Sequence, residues 1–205
     1  MHSVQVGGGV IRLATAADRE AIRRLVNQAF EVERFLKKGG GDRLQQDGEF
    51  ERLWGRGAFL VKEEDGALVG CVYVEPRSER IFASSRHSGD SRSVASLNGK
   101  ATTSSPVLRE PKAKTFDRAY LGLLSIAPSR QGAGLGKQLN AAAEQYARGQ
   151  GCRWMDLRVV SPRADLLVPL YRRLGYAETG TEEYPAELVE KMTIPGHFIL
   201  MAKAL

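Results

Sequence analysis

The sequence predicts an α/β domain of the mixed, α+β kind, with one central sheet of about six to seven strands flanked by about four helices. Three observations carry that prediction. Short apolar runs bounded by turn residues alternate with stretches whose apolar residues recur at helical spacing. A glycine-rich turn joins a strand-like run to a helix-like one in "LLSIAPSRQGAGLGKQLNAAAEQYA". The chain has 205 residues, 42% hydrophobic and 26% charged, enough for one core of ordinary size, so residues 1–205 read as a single domain.

Taken in order, the apolar run at 10–13 is the first strand. Thr15 stands three residues before Asp18, the spacing of a capping box, and Ile22, Leu25, Val26 and Ala29 then share one helical face. Residues 31–57 read as one or two short helices broken at glycines 39–41. Residues 59–61 and 68–74 form a hairpin whose turn contains Asp65 and Gly66. "AYLGLLSIAP" is a strand ending at Pro128, and a helix runs from Gly134 to about Arg148, where Gly149 and Gly151 stop it. "CRWMDLRVV" is a strand and "ADLLVPLYRRLGY" a helix ending at Gly175. "YAETGTEEY" and "HFILMAKAL" close the chain as two strands.

The net charge is +6, and most of it lies in one segment: nine Lys/Arg stand against four Asp/Glu between Arg77 and Arg118. Residues 77–115 are rich in Ser, Arg and Lys without sustained periodicity, and read as a flexible insertion between the third and fourth strands. Such a segment is either a solvated loop or a docking arm for an acidic partner. Phe82 alone of the aromatic residues interleaves its basic ones, and that scarcity argues against nucleic acid as the partner.

No run approaches the roughly 18 apolar residues of a membrane span. The first twenty residues lack the basic and apolar regions of a secretory signal. Cys71 and Cys152 sit in apolar contexts and read as buried free thiols, so a cytoplasmic setting is expected. There is no C-x-x-C and no paired histidine spacing, so no metal site is expected.

Strand, glycine turn and helix together make an anion site, because the first N–H groups of a helix are unpaired and its dipole favours negative charge. The spacing decides which anion motif this is. A P-loop would need glycine at Gln131 and Ser or Thr at Gln138, and a dinucleotide fingerprint would need glycine at Lys137. Gln131-Gly132-Ala133-Gly134-Leu135-Gly136, followed by Lys137, has instead the spacing Q-x-x-G-x-G. It resembles the acyl-CoA-binding signature of the GNAT family of N-acetyltransferases. "LYRRLGY", about 35 residues on, resembles that family's second landmark, a helix with a tyrosine ending in Leu-Gly-aromatic. The resemblance covers about residues 10–76 and 116–205. The closing stretch resembles a group of such domains found in fungi and some bacteria.

The resemblance implies a GNAT-like sheet and acetyl-CoA as co-substrate. Its pyrophosphate would rest on Gln131, Gly132, Ala133, Gly134, Leu135, Gly136 and Lys137, where glycine leaves room that a Cβ would fill. Lys137 either adds positive charge there or is an exposed helix lysine. Leu124, Ser125 and Ile126 would hold the pantetheine arm through their backbone, and an N–H near Ile126 would polarise the acetyl carbonyl. Tyr171 matches the family tyrosine that protonates the departing thiolate; the alternative is a tyrosine that only packs. An asparagine often precedes it by seven residues, and here Ala164 stands at that position.

A base must also deprotonate the amine. Glu75, at the end of "GCVYVEP", is the candidate by analogy with a glutamate on a central strand, with His197 a further possibility and Glu144 read as a surface or capping charge. The implied activity is direct transfer of acetyl to a primary amine, on a small molecule or a peptide, in a ternary complex. Specificity would lie around Phe35, Arg43 and residues 182–197. A non-catalytic acyl-CoA-binding module is the alternative on the same fold, and a binder acting through the insertion is the other. Monomer and homodimer are equally compatible with the sequence.

Overall fold

The computed structural model describes residues 4–6, 9–44, 48–78 and 116–205. The expected insertion therefore lies outside the described residues, apart from Arg77 and Ser78. The strands are β1 (Val4–Val6), β2 (Gly9–Leu13), β3 (Ala58–Glu64), β4 (Ala67–Arg77), β5 (Arg118–Ile126), β6 (Trp154–Val160), β7 (Ala177–Glu183) and β8 (His197–Ala204). They form one sheet in the order β1-β2-β3-β4-β5-β6-β8-β7, antiparallel except for the β5–β6 pair. The eighth strand is β1, a three-residue piece that pairs Val4 with Ile11; it is too short to carry a period of its own. Among the described residues the α-helices are α1 (Arg19–Ala29), α2 (Glu49–Arg56), α3 (Leu135–Gly149), α4 (Ala164–Arg173) and a single turn, α5 (Ala186–Val189).

Local chemistry sets several of these boundaries. The Asp18 carboxylate accepts from the Thr15 N–H at 2.7 Å and from its hydroxyl at 2.9 Å, so the capping pair forms, closing a short 3-10 turn that leads into α1. Arg12 donates to both oxygens of Asp18 and holds its carboxyl well below the usual carboxylate range. The β3–β4 turn places Asp65 at φ 49° and Gly66 at φ 75°, the two left-handed residues of a tight hairpin. β3 runs on to Glu64 past the apolar residues, because the buried Lys62 ammonium donates to the Gly9 carbonyl at 2.9 Å.

Two cores lie on opposite faces of the sheet. Leu121, Leu139, Met155, Leu157, Val168 and Met201 fill the face covered by α3 and α4. Ile22, Val26, Phe50, Phe59 and Tyr73 fill the face covered by α1 and α2. A buried polar network ties the first face together. Lys203 Nζ donates to Glu144 Oε1 at 2.7 Å and to the Leu174 carbonyl at 2.8 Å, Asn140 donates to the same carboxylate at 2.6 Å, and the Tyr176 hydroxyl donates to Asn140 at 3.1 Å. Glu144 is thus a buried staple between α3, β8 and the end of α4, not the surface or capping charge expected.

The parallel pair is short. β5 meets β6 only through Arg118–Trp154, Ala119–Met155 and Tyr120–Asp156, after which the two strands diverge. A buried ion pair pins the paired end: Arg118 Nε donates to Asp156 Oδ2 at 2.6 Å, and its Nη2 donates to Oδ1. Removing one partner of such a pair leaves an uncompensated buried charge. Arg118→Met is expected to lower unfolding stability by about 3–5 kcal/mol in urea titration, with Arg118→Met combined with Asp156→Leu recovering most of the loss.

Candidate active site

The site begins where β5 and β6 part. Leu121 to Ile126 keep β4 as a neighbour but have no strand partner on the β6 side. Within this stretch the register slips, with Ser125 opposite Cys71 but Gly122 opposite Tyr73, so Leu123 and Leu124 together face Val72. Leu123 adopts φ 50°, a left-handed conformation that costs a non-glycine residue about 1–3 kcal/mol. Bulges of this kind re-aim backbone groups and cluster beside functional sites. The side chains at the bulge are committed to the interior. Leu124 and Ile126 pack on the α3 face, and the buried Ser125 hydroxyl donates to the Leu123 carbonyl at 3.0 Å. What this strand offers a ligand is its backbone.

The turn after β5 is open. Gly132 and Gly134 sit at φ 81° and 76°, and a Cβ built on Gly132, Gly134 or Gly136 would meet nothing within 4 Å. Backbone conformation accounts for the first two glycines. Gly136 is helical and unobstructed, so nothing in the chain itself requires glycine there, and the room its missing Cβ leaves suits a ligand.

The first bond within α3 runs from the Gln138 N–H to the Gly134 carbonyl, and no side chain caps the turn. The N–H groups of Leu135, Gly136 and Lys137 are therefore without helical partners. No acidic residue stands in that first turn, and the exposed Lys137 ammonium meets no counter-charge among the described residues. The Leu135 side chain is buried and anchors the helix, leaving only its N–H for a ligand. Gln131 closes the turn, donating to the Ile126 carbonyl at 3.4 Å, while Gly132 and Ala133 are exposed. These features fit a diphosphate.

Tyr171 lies in α4, which packs beside β6, and its ring meets Tyr176 edge-on at 5.8 Å. Burial raises its pKa, with Tyr120 and Glu33 adding to the effect, so the phenol keeps its proton at neutral pH. Glu75 is placed differently from the expectation. It is buried and clamped: Oε2 accepts from the Tyr73 hydroxyl at 3.0 Å and from Arg77 at 2.7 Å, and Oε1 lies 3.8 Å from Arg56. A carboxylate engaged in this way fastens β4 to the end of α2. The His197 N–H donates to Ser161 Oγ at 3.0 Å at the start of β8. Ala164 packs against the core at the first residue of α4. Both thiols are buried, Cys71 being pushed up to about 12 by burial, so neither is a ready nucleophile.

A cleft of about 660 Å³ lies between the segment after α1 and the segment after β7. Sequence reasoning placed specificity in these stretches without joining them. The structure zips them together through backbone bonds, Lys38 N–H to Lys191 O at 2.8 Å and Thr193 N–H to Leu36 O at 2.9 Å. Leu36, Tyr184 and Met192 form a small core beneath, packed on Val160 and Phe198 at the ends of β6 and β8. Arg43 and Glu33 line the cleft. Nothing in the sequence marks Glu33 as a cleft residue, because "EVERFLKK" mixes acidic and basic residues without a motif.

The family model for the GNAT acetyltransferases matches residues 19–176, and the chain belongs to that family. Its fold is that of solved GNAT structures. A ribosomal-protein-alanine N-acetyltransferase from Brucella melitensis superposes with TM-score 0.62 at 22% identity, over 95% of this chain and 99% of that one. The putative acetyltransferase yncA from Salmonella typhimurium, solved with its cofactor acetyl-CoA, gives 0.61 at 20% identity over 97% and 95%. The GNAT domain of S. lividans PAT gives 0.63 at 13% over 99% and 97%. No curated protein matches the chain in sequence.

The open space at Gly136 yields a test that separates ligand from fold. Gly136→Ala is expected to leave thermal stability unchanged or raise it by up to about 1 kcal/mol, since helical alanine is favoured over glycine. The same substitution should weaken acetyl-CoA binding at least tenfold in isothermal titration.

Proposed function

We propose that this chain is an acetyl-CoA-dependent N-acetyltransferase that moves the acetyl group to a primary amine, on a small molecule or a peptide, by direct transfer in a ternary complex. The observation that carries the reading is the uncapped, unobstructed glycine turn at the mouth of the β5–β6 divergence. In this reading the N–H groups of residues 132–137 hold the pyrophosphate, with Lys137 adding positive charge. The free backbone edge of Leu124, Ser125 and Ile126 receives the pantetheine amides as a strand would, and an N–H near Ile126 polarises the thioester carbonyl. Tyr171 gives its proton to the sulfur as the C–S bond breaks, a role that suits a phenol held protonated by burial.

The buried thiols support transfer without an acyl-enzyme, and they suit the reducing conditions of a cytoplasmic setting. Among the described residues no cluster of His, Cys, Asp and Glu could hold a metal ion, and none of these roles asks for one.

Tyr171→Phe keeps the ring and removes the proton. Turnover of acetyl-CoA with an amine panel, followed by thiol release, should fall about 100-fold or more while the acetyl-CoA dissociation constant stays within twofold. Binding without turnover in the wild type would favour a non-catalytic acyl-CoA module. Unchanged turnover in the variant would remove Tyr171 from the chemistry.

A further inference from the structure

The base is the open role, and the cleft offers four carboxylates: Glu33, Asp42, Glu49 and Glu187. Asp42 accepts from Arg34 at 3.1 Å and Glu49 from Arg43 at 3.1 Å. Glu187 is exposed on α5. Glu33 differs from all three. Its side chain is 22% exposed and lies 3.8 Å from Arg163, beyond hydrogen-bond distance, so its lone pairs are not consumed. Arg163 also reaches the Val32 carbonyl at 3.5 Å, fastening the Glu33 segment to the turn that opens α4, the helix of Tyr171.

The charge of Glu33 is felt at two phenols that bracket the end of β6. Tyr171 is raised by burial first, then by Tyr120 and Glu33. Tyr184 is raised by burial, with Ser161 opposing and Glu33 adding to it. Arg163, the residue just before α4, places the Glu33 segment against the start of the helix that carries Tyr171.

We propose that Glu33 is the general base, taking a proton from the acceptor's ammonium inside the cleft so that the neutral amine can attack the thioester. This rests on the acetyltransferase reading above. The ammonium loses one proton to the Glu33 carboxylate, which later releases it to solvent through the open cleft. The amine nitrogen forms its bond to the acetyl carbon, and the carbon–sulfur bond breaks. Tyr171 protonates the sulfur, and the nitrogen's second proton restores the phenol. Each turnover consumes one ammonium and one acetyl-CoA and yields one amide, one CoA thiol and one proton.

The electrostatics suit the task. Burial lifts the Glu33 carboxyl above the ordinary glutamate value of 4.5, and the facing cations Arg163, Arg43 and Lys37 offset part of that rise. A carboxylate raised in this way is a stronger base than an ordinary glutamate. The rate should rise with pH as Glu33 loses its proton, with a midpoint above 4.5.

The test is the pH profile of kcat/KM for Glu33→Gln, measured with two amines of different pKa. The wild type should show an acid limb at the same pH with both amines, because it belongs to the enzyme. Glu33→Gln should lose that limb and about 100-fold in rate at pH 7, with unchanged acetyl-CoA affinity and an unchanged melting temperature. Glu33→Asp should recover part of the rate. Arg163→Gln should move the limb to higher pH, because it removes a cation that favours the carboxylate. A Glu33→Gln rate within threefold of wild type, with the limb retained, would overturn the assignment and leave the acetyltransferase reading intact. A wild type that binds no acetyl-CoA, or turns over no amine, would overturn both. Should Glu33→Gln fail to bind acetyl-CoA, its loss of rate is a folding effect; the assignment then stands on the Arg163→Gln shift and falls if the limb does not move.

Discussion

Three residue pairs of parallel ladder between β5 and β6 hold the two halves of this molecule together, and the Arg118–Asp156 pair pins them. The ladder closes the sheet at one end and leaves it open at the other. Had pairing continued, the backbone of Leu121 to Ile126 would have been consumed by β6, and no edge would remain for a ligand. The arginine also stacks over Trp154 at 5.2 Å, so charge, hydrogen bonding and ring packing converge on the point where divergence starts. A buried ion pair contributes little net stability compared with an apolar substitute. Its value here is positional, since bidentate geometry tolerates only one register between the strands.

The open end is kept open from both sides. On the β5 side, the left-handed Leu123 bends the strand, and the strain is offset by packing of Leu123 on the α1 face and Leu124 on the α3 face. On the β6 side, α4 packs Tyr171 on the core beside β6, and the Lys203–Glu144–Asn140–Tyr176 network fixes the end of that helix against α3. The same α3 begins at the glycine turn. One polar network therefore couples the helix that begins at the glycine turn to the tyrosine helix beside it, with every buried donor and acceptor in it engaged with another.

The cleft is built by a different device. The segments after α1 and after β7 contain little regular structure, and they are held by backbone bonds to each other over a small core of Leu36, Tyr184 and Met192. Segments stabilised in this way can change sequence without disturbing the sheet.

The sequence by itself determined seven of the eight strands, the helix boundaries near α1, α3 and α4, and the glycine turn with its motif. These depend on neighbours in the chain: the period of apolar residues, the Thr15–Asp18 pair, the left-handed Asp65–Gly66 turn and the alternating glycines ahead of α3. Tertiary structure alone decided the surroundings of the carboxylates and the buried staples. Glu75 and Glu33 look alike in sequence, one ending an apolar strand and one in a charged run. Folding places Glu75 among Tyr73, Arg77 and Arg56, and leaves Glu33 in the cleft with a single weak partner. Glu144 reads as a surface charge until Lys203, 59 positions away, reaches it. The physical reason is that a carboxylate's chemistry is set by what surrounds it in space, and its neighbours come from segments that sequence periodicity does not relate.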